Sequence, residues 1–382
     1  MLLGACIGAL GIWAITAALP WQPHRTRERL VPAADPADLS RVTVLIPARD
    51  EVGLIADTLR GLARQGAGLH VRVVDDESRD DTAAQVRATA VELAASEGAG
   101  RGPIEIELLS GKPLPIGWGG KLWALQQGFE AGCREHTLLL DADIVLEPHV
   151  IPALLDIASQ RRAALVSVMA RLRCESTWEK LLVPPFIFFF KLLYPFSLAA
   201  DRRSRVAAAA GGCILIETRA LAEIGAFASL RAELIDDCAL ARRVKDHGLG
   251  LWIGLSDAVV SRRRYESLTD FWQMVSRTAF TQLRYSTTLL IATTALMAWL
   301  FLLPLVAVVT APLSSASAVG ASAWLAMTAL FLPTVRYYRL SPLWALSLPA
   351  AAVLMLGMTW TSAVNYWRGT RAEWKLRTYR AN

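Results

Sequence analysis

Asp141 and Asp143, two carboxylates one residue apart, close the apolar run Leu138–Leu140. A buried strand of this kind delivers its C-terminal end to the ligand crevice of an α/β sheet. Hard divalent cations take oxygen ligands and share them with phosphates, so the pair suits Mg2+ or Mn2+ held against a diphosphate. The same spacing also fits a plain polar turn. Two more apolar runs end in polar clusters. Val42–Ile46 leads into Pro47, Ala48, Arg49, Asp50 and Glu51, and Val71–Val74 leads into Asp75 and Asp76. Each cluster alone reads as a solvated turn with a helix cap. Their equivalent places at strand ends favour one shared crevice, where carboxylates accept hydrogen bonds from a nucleobase imide and ribose hydroxyls.

Strands must carry these clusters, and helices must separate the strands. Leu54, Ile55, Thr58, Leu59 and Leu62 repeat with a helical period, and Asp80-Asp81-Thr82 can cap a second helix. Ile104–Leu109 reads as a strand, Leu122–Phe129 as a helix and Thr137–Leu140 as a strand. This alternation predicts an α/β fold, a parallel sheet with helices on both faces and a ligand crevice at the strand C-termini. No Gly-x-Gly-x-x-Gly follows the first strand, which argues against a dinucleotide-binding domain.

The chain has 382 residues, 54% of them apolar, and a positive mean hydropathy. That is too apolar for a purely soluble enzyme. Leu2–Trp21 is free of charge over roughly the 20 residues that cross a bilayer. Arg25, Arg27 and Arg29 follow, so the positive-inside rule places the next segment in the cytoplasm. A cleaved signal peptide is the rival reading, but the expected preceding charge and cleavage site are not evident. The sequence therefore divides into an N-terminal anchor at 1–22 and a cytoplasmic domain at 40–265. An amphipathic interfacial helix follows at 268–285, then a C-terminal membrane region at 286–366 and a basic tail at 367–382. Apolar runs lie at about 288–312, 321–335 and 341–364. Three spans put the tail outside, whereas its basic residues prefer the inside; two crossings plus a re-entrant middle piece restore parity.

Within the middle domain, Leu181–Ala200 holds Pro184, Pro185 and Phe186–Phe190. It reads as an interfacial or re-entrant segment, or as a hydrophobic core element. The net charge of +6 is carried by Arg202, Arg203, Arg205, Arg262–Arg264 and the tail. That distribution suits anionic lipid headgroups, and no aromatic-basic motif points to nucleic acid. Five cysteines lack pairing or zinc spacing and read as reduced thiols.

Three further positions could carry chemistry. Lys121 opens a helix, either as an ordinary exposed lysine or as a point charge reaching phosphates. Gly211, Gly212 and Cys213 turn into a strand, where glycines permit a ligand's close approach, a bulge or tight packing. Asp236 and Asp237 start a helix, where the dipole alone favours acids. Adjacent acids also raise one pKa, which suits a base working near neutral pH.

Taken in order, four stretches resemble the family 2 glycosyltransferases of the GT-A fold, the nucleotide-diphospho-sugar transferase fold. They are Val44–Glu51, Val73–Thr82, Gly120-Lys121 with Ala124-Leu125, and Asp141-Ala142-Asp143. Gly117–Leu125 with the terminal apolar runs is similar to the hopanoid-associated (hopene-associated) membrane branch. The resemblance covers nearly the whole chain. It implies an inverting, metal-dependent transferase on a bacterial inner membrane, moving one sugar from a UDP-linked donor to a hopanoid or related lipid alcohol. It implies Asp237 as general base beside Asp236, and Asp143 as ligand to Mg2+ or Mn2+ with Asp141 in support. Donor contacts are implied at Pro47, Ala48, Arg49, Glu51, Asp75, Asp76, Lys121 and Arg277. The acceptor floor is implied at Gly211, Gly212 and Cys213. The family's Asn before Glu51 is Asp50 here, and its Gly after the acidic pair is Glu77. Gln273 and Arg277 miss the Gln-x-x-Arg-Trp spacing of polymer-making members by one residue, which argues against processive synthesis. A polyprenyl phosphate or polysaccharide acceptor, and a non-catalytic nucleotide-binding scaffold, are the alternative readings.

Overall fold

A computed structural model describes residues 1–95, 104–231, 233 and 235–369, and the backbone of 373–374 and 377–378. Most of the basic tail, including Arg371, Lys375 and Arg380, lies outside the described residues. The chain forms two compact units. One comprises Glu28–Arg173 and Phe196–Arg264; the other comprises Met1–Arg27, Cys174–Pro195 and the chain from Tyr265 through the last helix.

The first unit is built on an eight-stranded sheet. Its strands are β1 (Val42–Ala48), β2 (Leu69–Asp75), β3 (Ile104–Ser110), β4 (His136–Leu140), β5 (Ile144–Leu146), β6 (Leu165–Arg171), β7 (Cys213–Glu217) and β8 (Leu251–Ser261). They lie in the order β3-β2-β1-β4-β7-β6-β8-β5. The first four are parallel. β7 runs antiparallel to both β4 and β6, and β5 runs antiparallel to β8. The sheet is thus mixed, as an α/β crevice with a late inserted strand requires.

Every residue of β1 is buried, because apolar side chains leave both faces of a central parallel strand. On one face Val44, Ile46, Leu138, Leu140 and Leu215 join a core with Ile55, Leu59 and Leu62 of the helix Ile55–Leu62. On the other face the helix Gly120–Glu130 comes close: a Cβ at Gly128 would meet Val74 and Leu45 at 3.0 and 3.2 Å. That face carries the site.

The second unit is helical. Thr287–Thr310, Ser315–Tyr337 and Pro342–Trp367 are long and apolar enough to cross a membrane. The middle one has 23 residues, longer than the 321–335 run suggests, because Ala- and Ser-rich turns precede the strongly apolar stretch. The N-terminal helix is only Leu2–Ala18, 17 residues. Pro20 explains the early stop: it pushes Leu19 out of the helical region, to φ −55° and ψ 132°. The single helix expected over 268–285 is two short ones, Leu268–Ser276 and Ala279–Gln282. The break frees the Phe280 N–H to donate to Ser362 Oγ at 3.1 Å. The Phe-rich stretch after Thr177 is one helix ending at Leu193, opened by a Ser176–Glu179 capping box. Its Phe188 packs on Phe331 with ring centroids 5.2 Å apart, so this stretch serves as core of the helical unit. All five cysteines are free thiols.

Candidate active site

β4 ends at Leu140, and Asp141 follows directly. Because β7 pairs antiparallel with β4, with Leu140 opposite Cys213, the preceding glycines lie beside the acid. The Asp141 N–H donates to the Gly212 carbonyl at 3.1 Å. Lys121, in the first turn of the helix Gly120–Glu130, places Nζ 2.6 Å from Asp141 Oδ1 and 4.0 Å from Asp236 Oδ2. Asp236 and Asp237 open the helix Asp236–Asp246. Gly211 N–H donates to Asp237 Oδ2 at 2.8 Å, and Cys238 N–H donates to Oδ1 at 2.7 Å. Lys121, Asp141, Gly211, Asp236 and Asp237 thus line one pocket, with Pro47 at its edge and Leu122, Ile214 and Phe227 among its apolar walls.

Charge crowding sets the protonation of these groups. Burial pushes the Asp237 carboxyl up to about 6, and the neighbouring Asp236 charge adds to the rise. Burial also raises Asp141; Lys121 opposes this and Asp143 reinforces it. Burial disfavours the Lys121 ammonium, but Asp141, Asp236 and Asp237 outweigh it and hold its pKa above the ordinary lysine value. Lys121 is therefore a fixed cation among three acids.

The clusters at the ends of β1 and β2 lock together. Arg49 is buried; its Nη1 donates to the Asp76 and Glu77 carbonyls, the latter at 3.0 Å, and lies 3.9 Å from Asp76 Oδ2. Asp75 Oδ1 accepts from Ser78 N–H at 3.2 Å. Asp50 accepts from Arg79 N–H at 2.7 Å and donates its own N–H to Ser78 Oγ. Asp50 and Glu77 both hold left-handed backbone, φ 52° and 54°. Asn and Gly tolerate that region best, which accounts for the family's usual residues at these two positions.

Not every expected contact lies in the pocket. Cys213 is fully buried in the core on the opposite side of β7 from Ile214, and burial pushes its thiol up to about 12. Strand alternation turns it away from the pocket that Ile214 lines. Ala48 and Asp76 are fully buried and shape the loops from within. Arg277 follows the helix Leu268–Ser276 in the helical unit. Two residues escaped the sequence reading. Ser261 Oγ donates to Asp143 Oδ2 at 2.7 Å. Arg263 places Nη2 2.9 Å from Glu51 Oε1 and Nε 3.5 Å from Asp143 Oδ2. The run Arg262–Arg264 was the available signal, and it reads as headgroup-facing charge; Arg263 instead pairs with acids inside the domain.

Among the described residues no cluster of three or more His, Cys, Asp or Glu is placed to hold a metal ion. Two carboxylates nevertheless suffice for Mg2+ or Mn2+ when substrate phosphates complete the shell. Lys121 meets only Oδ1 of Asp141, and Ser261 and Arg263 meet only Oδ2 of Asp143. Each acid therefore keeps one oxygen without a hydrogen bond from a described residue, and the donor set fits a hard cation.

Residues 40–280 match the model of the glycosyltransferase-like family 2. The chain belongs to that family. No curated protein matches it. Among solved structures, the mannosyltransferase PcManGT from Pyrobaculum calidifontis, in complex with GDP-Man and Mn2+, is similar in fold. Its TM-score is 0.54 at 18% identity, covering 97% of this chain and 100% of that one. Glucosyl-3-phosphoglycerate synthase from Mycobacterium tuberculosis, with Mn2+, UDP and phosphoglyceric acid, matches with TM-score 0.42 and 15% identity, covering 67% and 85%. This family 2 glycosyltransferase thus combines a GT-A-like sheet with apolar helices that could span a membrane.

Proposed function

We propose that this glycosyltransferase moves one sugar, with inversion, from a nucleotide-sugar donor to a membrane lipid alcohol on the cytoplasmic side of a bacterial inner membrane. The observation that carries the reading is the Asp237 carboxylate, oriented by the Gly211 and Cys238 N–H groups in the pocket that Lys121 and Asp141 share. With both oxygens fixed, Asp237 receives the acceptor hydroxyl proton as that oxygen attacks the anomeric carbon. The bond from the anomeric carbon to the diphosphate breaks as the new glycosidic bond forms, and the electron pair leaves on the diphosphate oxygen. Asp236 keeps Asp237 basic enough to take the proton, and Lys121 neutralises the acids around it.

Asp143 and Asp141 would hold Mg2+ or Mn2+, which supplies charge neutralisation for the departing diphosphate when bound. The complexes of PcManGT with GDP-Man and Mn2+ support that reading. Pro47, Glu51 and Asp75 belong to the donor side, UDP-linked on the resemblance, and Gly211 and Gly212 to the acceptor side. Arg277 is assigned to the diphosphate on the resemblance alone. A lipid acceptor is supported by the three apolar helices in the same chain. A hopanoid or related polycyclic isoprenoid is favoured by the likeness of Gly117–Leu125 to the hopanoid-associated branch.

The test is lipid glycosylation by detergent-purified protein. A panel of nucleotide sugars is incubated with a hopanoid-containing extract and divalent metal, and products are read by mass spectrometry. A glycosylated lipid that disappears in Asp237→Asn supports the reading and names both substrates. No turnover and no nucleotide binding would instead favour a non-catalytic scaffold. Sugar on a polyprenyl phosphate or a polysaccharide would replace the acceptor.

A further inference from the structure

Arg263 ties together two acids that stand at different strand ends. Its Nη2 lies 2.9 Å from Glu51 Oε1, past the end of β1, and its Nε lies 3.5 Å from Asp143 Oδ2, past the end of β4. Ser261 Oγ occupies the same Asp143 oxygen at 2.7 Å. Glu51 and Asp143 are only 7% and 8% exposed. Buried carboxylates require a counter-charge, and this guanidinium supplies it. The Arg263 side chain itself is 33% exposed, so an arriving anionic ligand can reach it.

The arrangement has two consequences for Asp143. The Ser261 hydroxyl donates to Oδ2 and the Arg263 guanidinium pairs with it by charge, so both hold that oxygen, and no described residue donates to Oδ1. They also keep a positive charge beside the carboxylate that a divalent cation would use. Like charges a few ångströms apart repel, and more strongly beside a protein than in bulk water. A nucleoside diphosphate brings the negative charge that removes this conflict, because it can pair with the cation and the guanidinium together.

We propose that Arg263 is a positioning residue that makes divalent-cation capture at Asp143 depend on the donor diphosphate. This rests on the reading of Asp143 and Asp141 as the cation's carboxylates. Bare metal is held weakly, and metal and nucleotide enter as a pair. Glu51 is the second anchor that keeps the guanidinium in place between donor additions.

The experiment is a Mn2+ titration of the full chain in detergent, followed by electron paramagnetic resonance of free Mn2+, without nucleotide and with UDP or GDP. In the wild type, nucleotide tightens Mn2+ binding roughly tenfold or more, the size set by one uncompensated charge. In Arg263→Gln, Mn2+ alone binds several-fold tighter and the nucleotide enhancement shrinks. Arg263→Lys, which keeps the charge, retains the wild-type dependence and stands in if the Gln protein does not fold. Equal affinity for Mn2+ alone in wild type and Arg263→Gln overturns the proposal, as does weaker binding in the variant or loss of nucleotide dependence in a folded Arg263→Lys. Unchanged Mn2+ binding in Asp143→Asn with nucleotide present shows instead that the cation reading is wrong, and the proposal falls with it.

Discussion

Gly211 donates its N–H to Asp237 Oδ2 at 2.8 Å, and a Cβ on residue 211 would stand 3.2 Å from that same oxygen. The contact is tight enough that any side chain at 211 must displace either the strand end or the acid. Glycine thus lets the strand end and the acid approach without that shift of a few tenths of an ångström. A general base depends on its exact reach to the hydroxyl, and misplacement by about 1 Å costs on the order of 100-fold in rate. Gly211→Ala, which shifts the acid by less than that, should lower kcat several-fold to about tenfold and leave the donor KM nearly unchanged, as initial-rate kinetics with the lipid acceptor would reveal.

As the proposed base, Asp237 should also set the pH behaviour. Its carboxyl is pushed up to about 6 by burial and by Asp236 on its own helix, while Lys121 from the facing helix and the N–H groups of Cys238 and Gly211 hold it down. A base acts when deprotonated, so activity should rise with pH through about 6 and level off above. Asp236→Asn removes the like charge and should move that limb to lower pH. A pH–rate profile that stays flat from pH 5 to 8 would remove Asp237 as the titrating base.

The same shift bears on stability. The folded state binds this proton more tightly than the unfolded chain, whose value is near 3.8. The stabilising contribution is complete below that value and is lost as pH rises through about 6. At pH 7.5 the wild type therefore carries a strained charge and should gain about 1 kcal/mol of stability on going to pH 5. Asp237→Asn does not titrate and should lack that gain, whatever its amide loses by facing one of the two N–H donors. Thermal unfolding of both proteins at the two pH values checks this.

Lys121 is the cation shared by Asp141 and the Asp236–Asp237 pair. Removing one partner of a buried pair leaves uncompensated charge, at about 3–5 kcal/mol when burial is complete. Here the Lys121 and Asp141 side chains are 19% and 32% exposed, so Lys121→Met should cost about 1–3 kcal/mol. It should also raise the Asp237 pKa and shift the acid limb of activity to higher pH. Denaturant unfolding and the pH profile together separate the two effects.

Glu77 holds φ 54° in the turn after β2. Left-handed backbone costs a side-chain-bearing residue about 1–2 kcal/mol, and glycine's greater freedom in the unfolded chain returns part of that. Glu77→Gly should stabilise the protein by roughly 0.5–1 kcal/mol. A lower melting temperature for this variant would show that the Glu77 side chain contributes more than its backbone strain.

Much of this molecule was legible along the chain. Short continuous apolar runs mark β1 to β4, a 3.6-residue stripe marks the helix after β1, and the acids after the strands mark the crevice, because all these signals are local. The long apolar helices are legible for the same reason. What local patterns do not carry is which distant segment a strand end meets. β7 enters the sheet antiparallel between β4 and β6, and only that pairing sets Gly211 beside Asp237 and turns Cys213 into the core. Arg263 reads in sequence as one of three surface arginines, yet it lies 212 residues from the Glu51 it pairs with. The charge of a residue is written in its type; its partner is chosen by sheet order, and that order is decided by burial summed over the whole fold.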